Sequence, residues 1–76
     1  MNAARRKKLA VLRSRIEEIH DLLEELKEEE RDAYDNLPEG LQQSERGEAM
    51  ENAADCLDAA IDNLCEATEN IEEAME

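Results

Sequence analysis

In the second half of the chain, apolar residues recur at alternating steps of three and four: Met50, Ala53, Leu57, Ala60, Leu64, Ala67, Ile71 and Ala74. A strand cannot use that spacing, because its side chains return to one face at every second residue. The pattern is the heptad seam of a helix lying against another helix. The first half carries the same signal through Leu9, Leu12, Ile16, Ile19, Leu23 and Leu26. Strong helix formers surround both seams, and no Gly or Pro occurs before Pro38. The spacing predicts helices over about residues 3–35 and 45–75 with a turn at 36–44. Beyond Leu26 the first seam weakens to Glu30 and Ala33.

The connection has its own chemistry. Pro38 cannot continue a helix and steers Leu37 away from the α region. Gly40 offers a position that tolerates positive φ, and Ser44 is a fitting N-cap for the second helix. Leu37 and Leu41 are expected to fold back over this end. Gly47 is expected to weaken the first turn of the second helix slightly. Two helices of nearly equal length joined by a short turn predict an antiparallel αα-hairpin occupying the whole chain as one unit.

Charge favours the same arrangement. Residues 1–15 hold Arg5, Arg6, Lys7, Lys8, Arg13 and Arg15 and no acid, while the remainder carries three cations against twenty-two acids, for a net −13. The basic start of the first helix and the acidic end of the second, with Glu66, Glu69, Glu72, Glu73 and Glu76, each oppose their own helix dipole. An antiparallel hairpin sets the two clusters side by side, so that they compensate each other.

Composition sets the limits. Leu, Ile, Val and Phe make up only fourteen of seventy-six residues, a share that with high net charge often accompanies disorder. Here the heptads argue for order. No apolar run reaches the ~18 residues of a membrane span. Arg13 and Arg15 interrupt any apolar core of a secretory signal after Arg5-Arg6-Lys7-Lys8, so no export is expected. So small a hairpin usually needs a staple or a partner. The second helix has more apolar surface than one neighbour can cover, because Ala54, Ile61, Thr68 and Met75 form another column and Ala49 and Cys56 widen the opposite flank. A homodimer forming a four-helix bundle is therefore expected, with the second helices central. The interaction residues of this reading are Met50, Ala53, Ala54, Leu57, Ala60, Ile61, Leu64, Ala67, Ile71 and Met75.

The residues that could carry chemistry point elsewhere than catalysis. Cys56 and Cys65 lie nine positions apart on one helix, half a turn around it and about 13 Å along it, beyond disulfide reach. With no Cys-x-x-Cys there is no support for a zinc or redox site. The two thiols read as small fillers and, without an export signal, suggest the cytoplasm. Glu17-x-x-His20 has the spacing of di-iron carboxylate bundles. Ile16 and Ile19 hold the inward phase, however, so His20 is expected in solvent between Glu17 and Glu24. The basic cluster lacks interleaved aromatics, and the acidic remainder repels nucleic acid. Tyr34, the sole aromatic, is expected near the turn. No Ser-His-Asp grouping, phosphate loop or metal box is present, and neither an enzyme nor a cofactor is expected.

Two functions remain. One is a non-enzymatic protein–protein interaction or structural module that self-associates through the Ala-rich face of the second helix. The alternative is a nucleic-acid mimic: Glu24, Glu25, Glu28, Glu29, Glu30 and Asp32, with Asp55, Asp58 and Asp62, stud a rod about 20 Å wide that could occupy a basic groove of a host protein.

The stretch Asn36-Leu-Pro-Glu-Gly-Leu-Gln-Gln-Ser-Glu-Arg46, preceded by Asn2-Ala-Ala-Arg-Arg-Lys-Lys and followed by an Ala- and Glu-rich heptad helix, resembles small uncharacterised proteins of bacterial phages and prophages. The resemblance spans most of the chain, and its specific part is the turn. It implies a phage-derived cytoplasmic hairpin and brings no activity with it.

Overall fold

The computed structural model describes residues 1–76. Helix accounts for 89% of the chain and there are no strands. Helix α1 spans Ala3–Asp35, α2 is a single turn at Glu39–Gln42, and α3 spans Glu45–Met75. Asn2 starts α1 as an N-cap, its side-chain oxygen accepting from the Arg5 N–H at 2.9 Å. Pro38 follows the end of α1 and caps α2, its carbonyl accepting from the N–H groups of Leu41 and Gln42. Ser44 caps α3: its hydroxyl accepts from the Gly47 N–H at 3.5 Å and donates to the Leu41 carbonyl. Glu45 and Glu48 in the first turn of α3 suit the positive end of its dipole.

The connection is more ordered than an irregular turn. Gly40 lies inside α2, and no residue has positive φ, so the freedom expected of it is unused. Leu37 is half-buried, but Leu41 points to solvent. Gln42 does the closing instead, its side-chain amide donating to the carbonyls of Tyr34 and Leu37 at 3.3 and 3.2 Å. Tyr34 lies in the last turn of α1, whose carbonyls lack the helical partners of the interior, and Leu37 lies just beyond it. Gly47 is buried for a reason unrelated to propensity: a Cβ there would come within 3.0 Å of three backbone atoms of Gln42. Only glycine lets α3 begin so close to the connection.

α1 and α3 run antiparallel along a rod of 58 × 15 × 12 Å. The Arg6 guanidinium donates to the Met75 carbonyl at 3.0 Å near the open end. Arg13 faces Glu72 at 3.8 Å, and Lys27 faces Asp58 at 3.0 Å. The fully buried residues are Gly47, Ala54 and Ile61, one column of α3 at intervals of seven.

That column corrects the expected seam. On α3 the contact centres on Gly47, Ala54, Ile61, Thr68 and Met75 together with Met50, Leu57, Leu64 and Ile71. Ala53, Ala60 and Ala67 move to its edge, half-buried, and Ala74 is exposed. On α1, Leu9, Ile16 and Leu23 keep the inward phase, but Leu12, Ile19 and Leu26 turn out and stay 46%, 49% and 50% exposed. Arg13, His20, Lys27 and Tyr34 take their place, all half-buried. Heptad columns stand about 50° apart around a helix, so a modest rotation of α1 makes this exchange. It brings Arg13 and Lys27 to the acids of α3 while their long stems cover apolar surface.

Candidate interaction surface

The rotation divides the hairpin into two long flanks beside one seam. In an antiparallel pair, the flank of α1 carrying Lys27 and Arg31 shares a side with the Asp58 and Glu72 column of α3. The opposite side then joins Leu12, Ile19 and Leu26 to the Ala53, Ala60, Ala67 and Ala74 column. The ion pairs fix the register: with Arg13 beside Glu72 and Lys27 beside Asp58, Leu12 comes level with Ala74, Ile19 with Ala67 and Leu26 with Ala60.

The polar flank is closed by charge. The Lys27 ammonium meets Glu24 at 3.1 Å and Asp58 at 3.0 Å, and the Arg31 guanidinium donates to the other Asp58 oxygen at 2.6 Å. Only 15% of the Lys27 side chain is exposed. The hydrogen bond to Asp58, followed by that to Glu24, raises the Lys27 pKa above its ordinary value. The hydrogen bond from Lys27, assisted by the charge of Arg31, lowers that of Asp58. Two shallow clefts open on this side. One, near the connection, is lined by Arg31, Tyr34 and Asp55 among others, which puts the sole aromatic where it was expected. The other lies between His20 and Glu17 of α1 and Cys65, Glu69 and Glu72 of α3.

His20 is therefore not simply solvated. It is half-buried at the seam, with Nδ1 3.2 Å from Asp21 and Nε2 3.9 Å from Glu24. Heptad phase alone concealed this, since His20 belongs to the column the rotation turned inward. No group of three His, Cys, Asp or Glu side chains is placed to hold a metal ion. Cys56 and Cys65 are free and exposed. At the open end, compensation of the basic cluster is narrower than charge alone suggested. Arg6 reaches a backbone carbonyl and Arg13 reaches Glu72, whereas Arg5, Lys7, Lys8 and Arg15 have no carboxylate within 4.0 Å.

The open flank is the reverse. Three of the seven heptad columns of α3 contain no charged residue, those of Ile61, Leu64 and Asn63, and that of Ala60 carries none after Arg46 in the first turn. The first two meet α1, and the last two, with Ala49, Cys56 and Asn70, continue uncharged around the helix. In a chain that is 41% charged, an uncharged strip running along α3 beside a column of half-exposed leucines and isoleucine is a specific feature. Depletion of charge marks the centres of protein interfaces.

Of the ten residues expected to mediate interaction, Met50, Ala54, Leu57, Ile61, Leu64, Ile71 and Met75 lie in the hairpin's own seam. Ala53, Ala60 and Ala67 border the open flank. The sequence reading missed Leu12, Ile19 and Leu26 as surface residues by assigning them to that seam. No helix is long and apolar enough to cross a membrane. No family model matches the chain, and neither a curated protein nor a solved structure does.

Proposed function

We propose that this protein is a non-enzymatic interaction module, a helical hairpin that self-associates into a bundle through the Ala-rich face of α3. The observation that carries this reading is the uncharged flank, where Ala53, Ala60 and Ala67 lie beside half-exposed Leu12, Ile19 and Leu26. Contiguous apolar surface of this kind marks an interaction site. Small residues on one helix allow another to approach closely.

Sedimentation equilibrium tests the reading: the expected result is a mass near twice 8.7 kDa at micromolar concentrations, persisting in about 0.5 M NaCl because apolar contacts are not screened. A single-chain mass throughout would refute it. Ala53→Leu with Ala60→Leu should weaken association by filling the space a neighbouring helix needs. A complex with a basic protein that dissolves in salt and ignores that double substitution would instead support the nucleic-acid mimic.

A further inference from the structure

The position of the exposed side chains constrains how two copies meet. We infer that the open flank receives a second copy of this chain about a two-fold axis parallel to the hairpin's length, with both connections at the same end. The Leu12, Ile19 and Leu26 column of each copy then lies on the Ala53, Ala60 and Ala67 column of the other. This rests on the self-association reading above and adds to it the surface, the axis and the facing residues.

Three independent observations point to this occupant. The first is size. One helix presents large side chains to the open side and the other small ones, level with each other along the rod. A lengthwise two-fold places α1 of each copy over α3 of its partner, so large meets small twice, as an isologous interface requires. A crosswise axis would place α1 on α1 and α3 on α3, setting bulky columns against each other while leaving a gap between alanines.

The second is charge. α3 has no cation after Arg46, so α3 on α3 brings acid to acid along its length. The lengthwise axis instead lays the basic start of α1 over the acidic end of the partner's α3. Lys8 and Arg15, at the outer edge of the leucine column, have no carboxylate within 4.0 Å in the single chain, and on this register each comes within about one helical turn along the axis of Glu73 on the other copy. Complementary charge fixes orientation and register more than it adds affinity.

The third is area. The chain exposes 5681 Å², whereas a folded monomer of this mass exposes about 4700 Å² by the usual scaling. The excess, about 1000 Å², approximates the roughly 800 Å² that each partner buries in a standard interface. Both the elongated outline and the half-exposed Leu12, Ile19 and Leu26 contribute to that excess.

The axis can be read directly. With Cys56→Ala and Cys65→Ser removing the native thiols, a spin label is attached through Gln43→Cys, which is exposed in the connection. Sedimentation and double electron–electron resonance are then measured on the same sample. A dimer with labels within about 30 Å, two or three helix diameters, is the expected result. A dimer with labels near 50 Å, approaching the 58 Å rod length, would overturn the lengthwise axis while leaving self-association intact. A monomer at micromolar concentrations would overturn both. Ile19→Lys should weaken the dimer by roughly a hundredfold. An unchanged dissociation constant would overturn the assignment of this face. If the lysine unfolds the hairpin, the label distance decides.

Discussion

Leu26 and Lys27 are adjacent in the chain and exchange the fates their chemistry would suggest. Leu26 stays half in water on the open flank, while the Lys27 side chain is only 15% exposed, enclosed between Glu24 and Asp58. Ile19 with His20, and Leu12 with Arg13, repeat the inversion one and two heptads earlier. Where only one of two adjacent side chains is buried, it is usually the apolar one. Leaving Leu12, Ile19 and Leu26 half-exposed forgoes about 1 kcal/mol each, half of a full burial, and partly exposed ion pairs return little. The polar flank is closed by charge within one chain, whereas the apolar flank leaves three large side chains half in water.

The largest effect should come from removing the residue on which both flanks lean. Ile61 is 5% exposed at the middle of the seam, and Ile61→Ala should cost about 2–4 kcal/mol. That is a large part of the roughly 4–11 kcal/mol expected for a domain of this length, so urea unfolding should begin near zero denaturant. Ile19→Ala makes the same chemical change on the open flank and should cost only about 1 kcal/mol in dilute solution, its cost growing with protein concentration as copies associate. Equal costs for the two at every concentration would erase the difference between seam and flank.

Next in size are the glycines at the closed end. Gly47→Ala gains helix propensity of up to about 1 kcal/mol, but its Cβ meets the Gln42 backbone. Overpacking of that kind costs about 1–3 kcal/mol, so thermal melts should show net destabilisation. Gly40→Ala has nothing within 4 Å of the added carbon and should be neutral or stabilising. A stabilised Gly47→Ala would mean that the connection does not press on α3.

Smaller again is the ion triad of the polar flank. Because the Asp58 pKa is lowered on folding, its contribution is present above the unfolded carboxylate value and is lost as pH falls through the folded one. Because the Lys27 pKa is raised, its contribution is present below the unfolded ammonium value and fades as pH rises through the folded one. Asp58→Asn should therefore lower the melting temperature at neutral pH by less than Gly47→Ala does. Its gap from the wild type should close in acid, below about pH 4, and narrow in alkali above about pH 10. A gap that stays constant across the pH range would assign the effect to packing rather than to charge.

What the sequence made legible was local in origin. Two helices, their pairing through a short connection, the N-cap at Ser44 and the antiparallel sense follow from heptad spacing, Pro38, Ser44 and the separation of charge. The rotation of α1 was not legible. Counting apolar residues favours Leu12, Ile19 and Leu26 as the inward column, whereas the adjacent column of Arg13, His20 and Lys27 meets Glu72 and Asp58, acids that lie far away in sequence. Gly47 escaped for the same reason: its propensity is written in one position, but the Gln42 backbone that requires it arrives through the fold. The uncharged columns of α3 were visible as excess apolar surface. Which of them α1 would occupy depended on that rotation.

The faintest test concerns the open end. Arg13 and Glu72 stand 3.8 Å apart with 33% and 51% of their side chains exposed, a geometry in which ion pairs contribute little. Arg13→Gln should lower stability by no more than about 0.5 kcal/mol, and the loss should shrink in about 1 M salt, where the screening length falls to ~3 Å. Arg13 also lies in the inward column, where the stem of an arginine covers neighbouring apolar carbons. Arg13→Met keeps most of that stem and discards the charge, so it separates the two contributions. If the rotation of α1 is held by charge, Arg13→Met should behave like Arg13→Gln at low salt and all three proteins should converge at high salt. If Arg13→Met instead matches the wild type at every salt concentration, the stem is what holds this turn of α1, and the inversion of leucine and cation owes more to packing than to the acids across the seam.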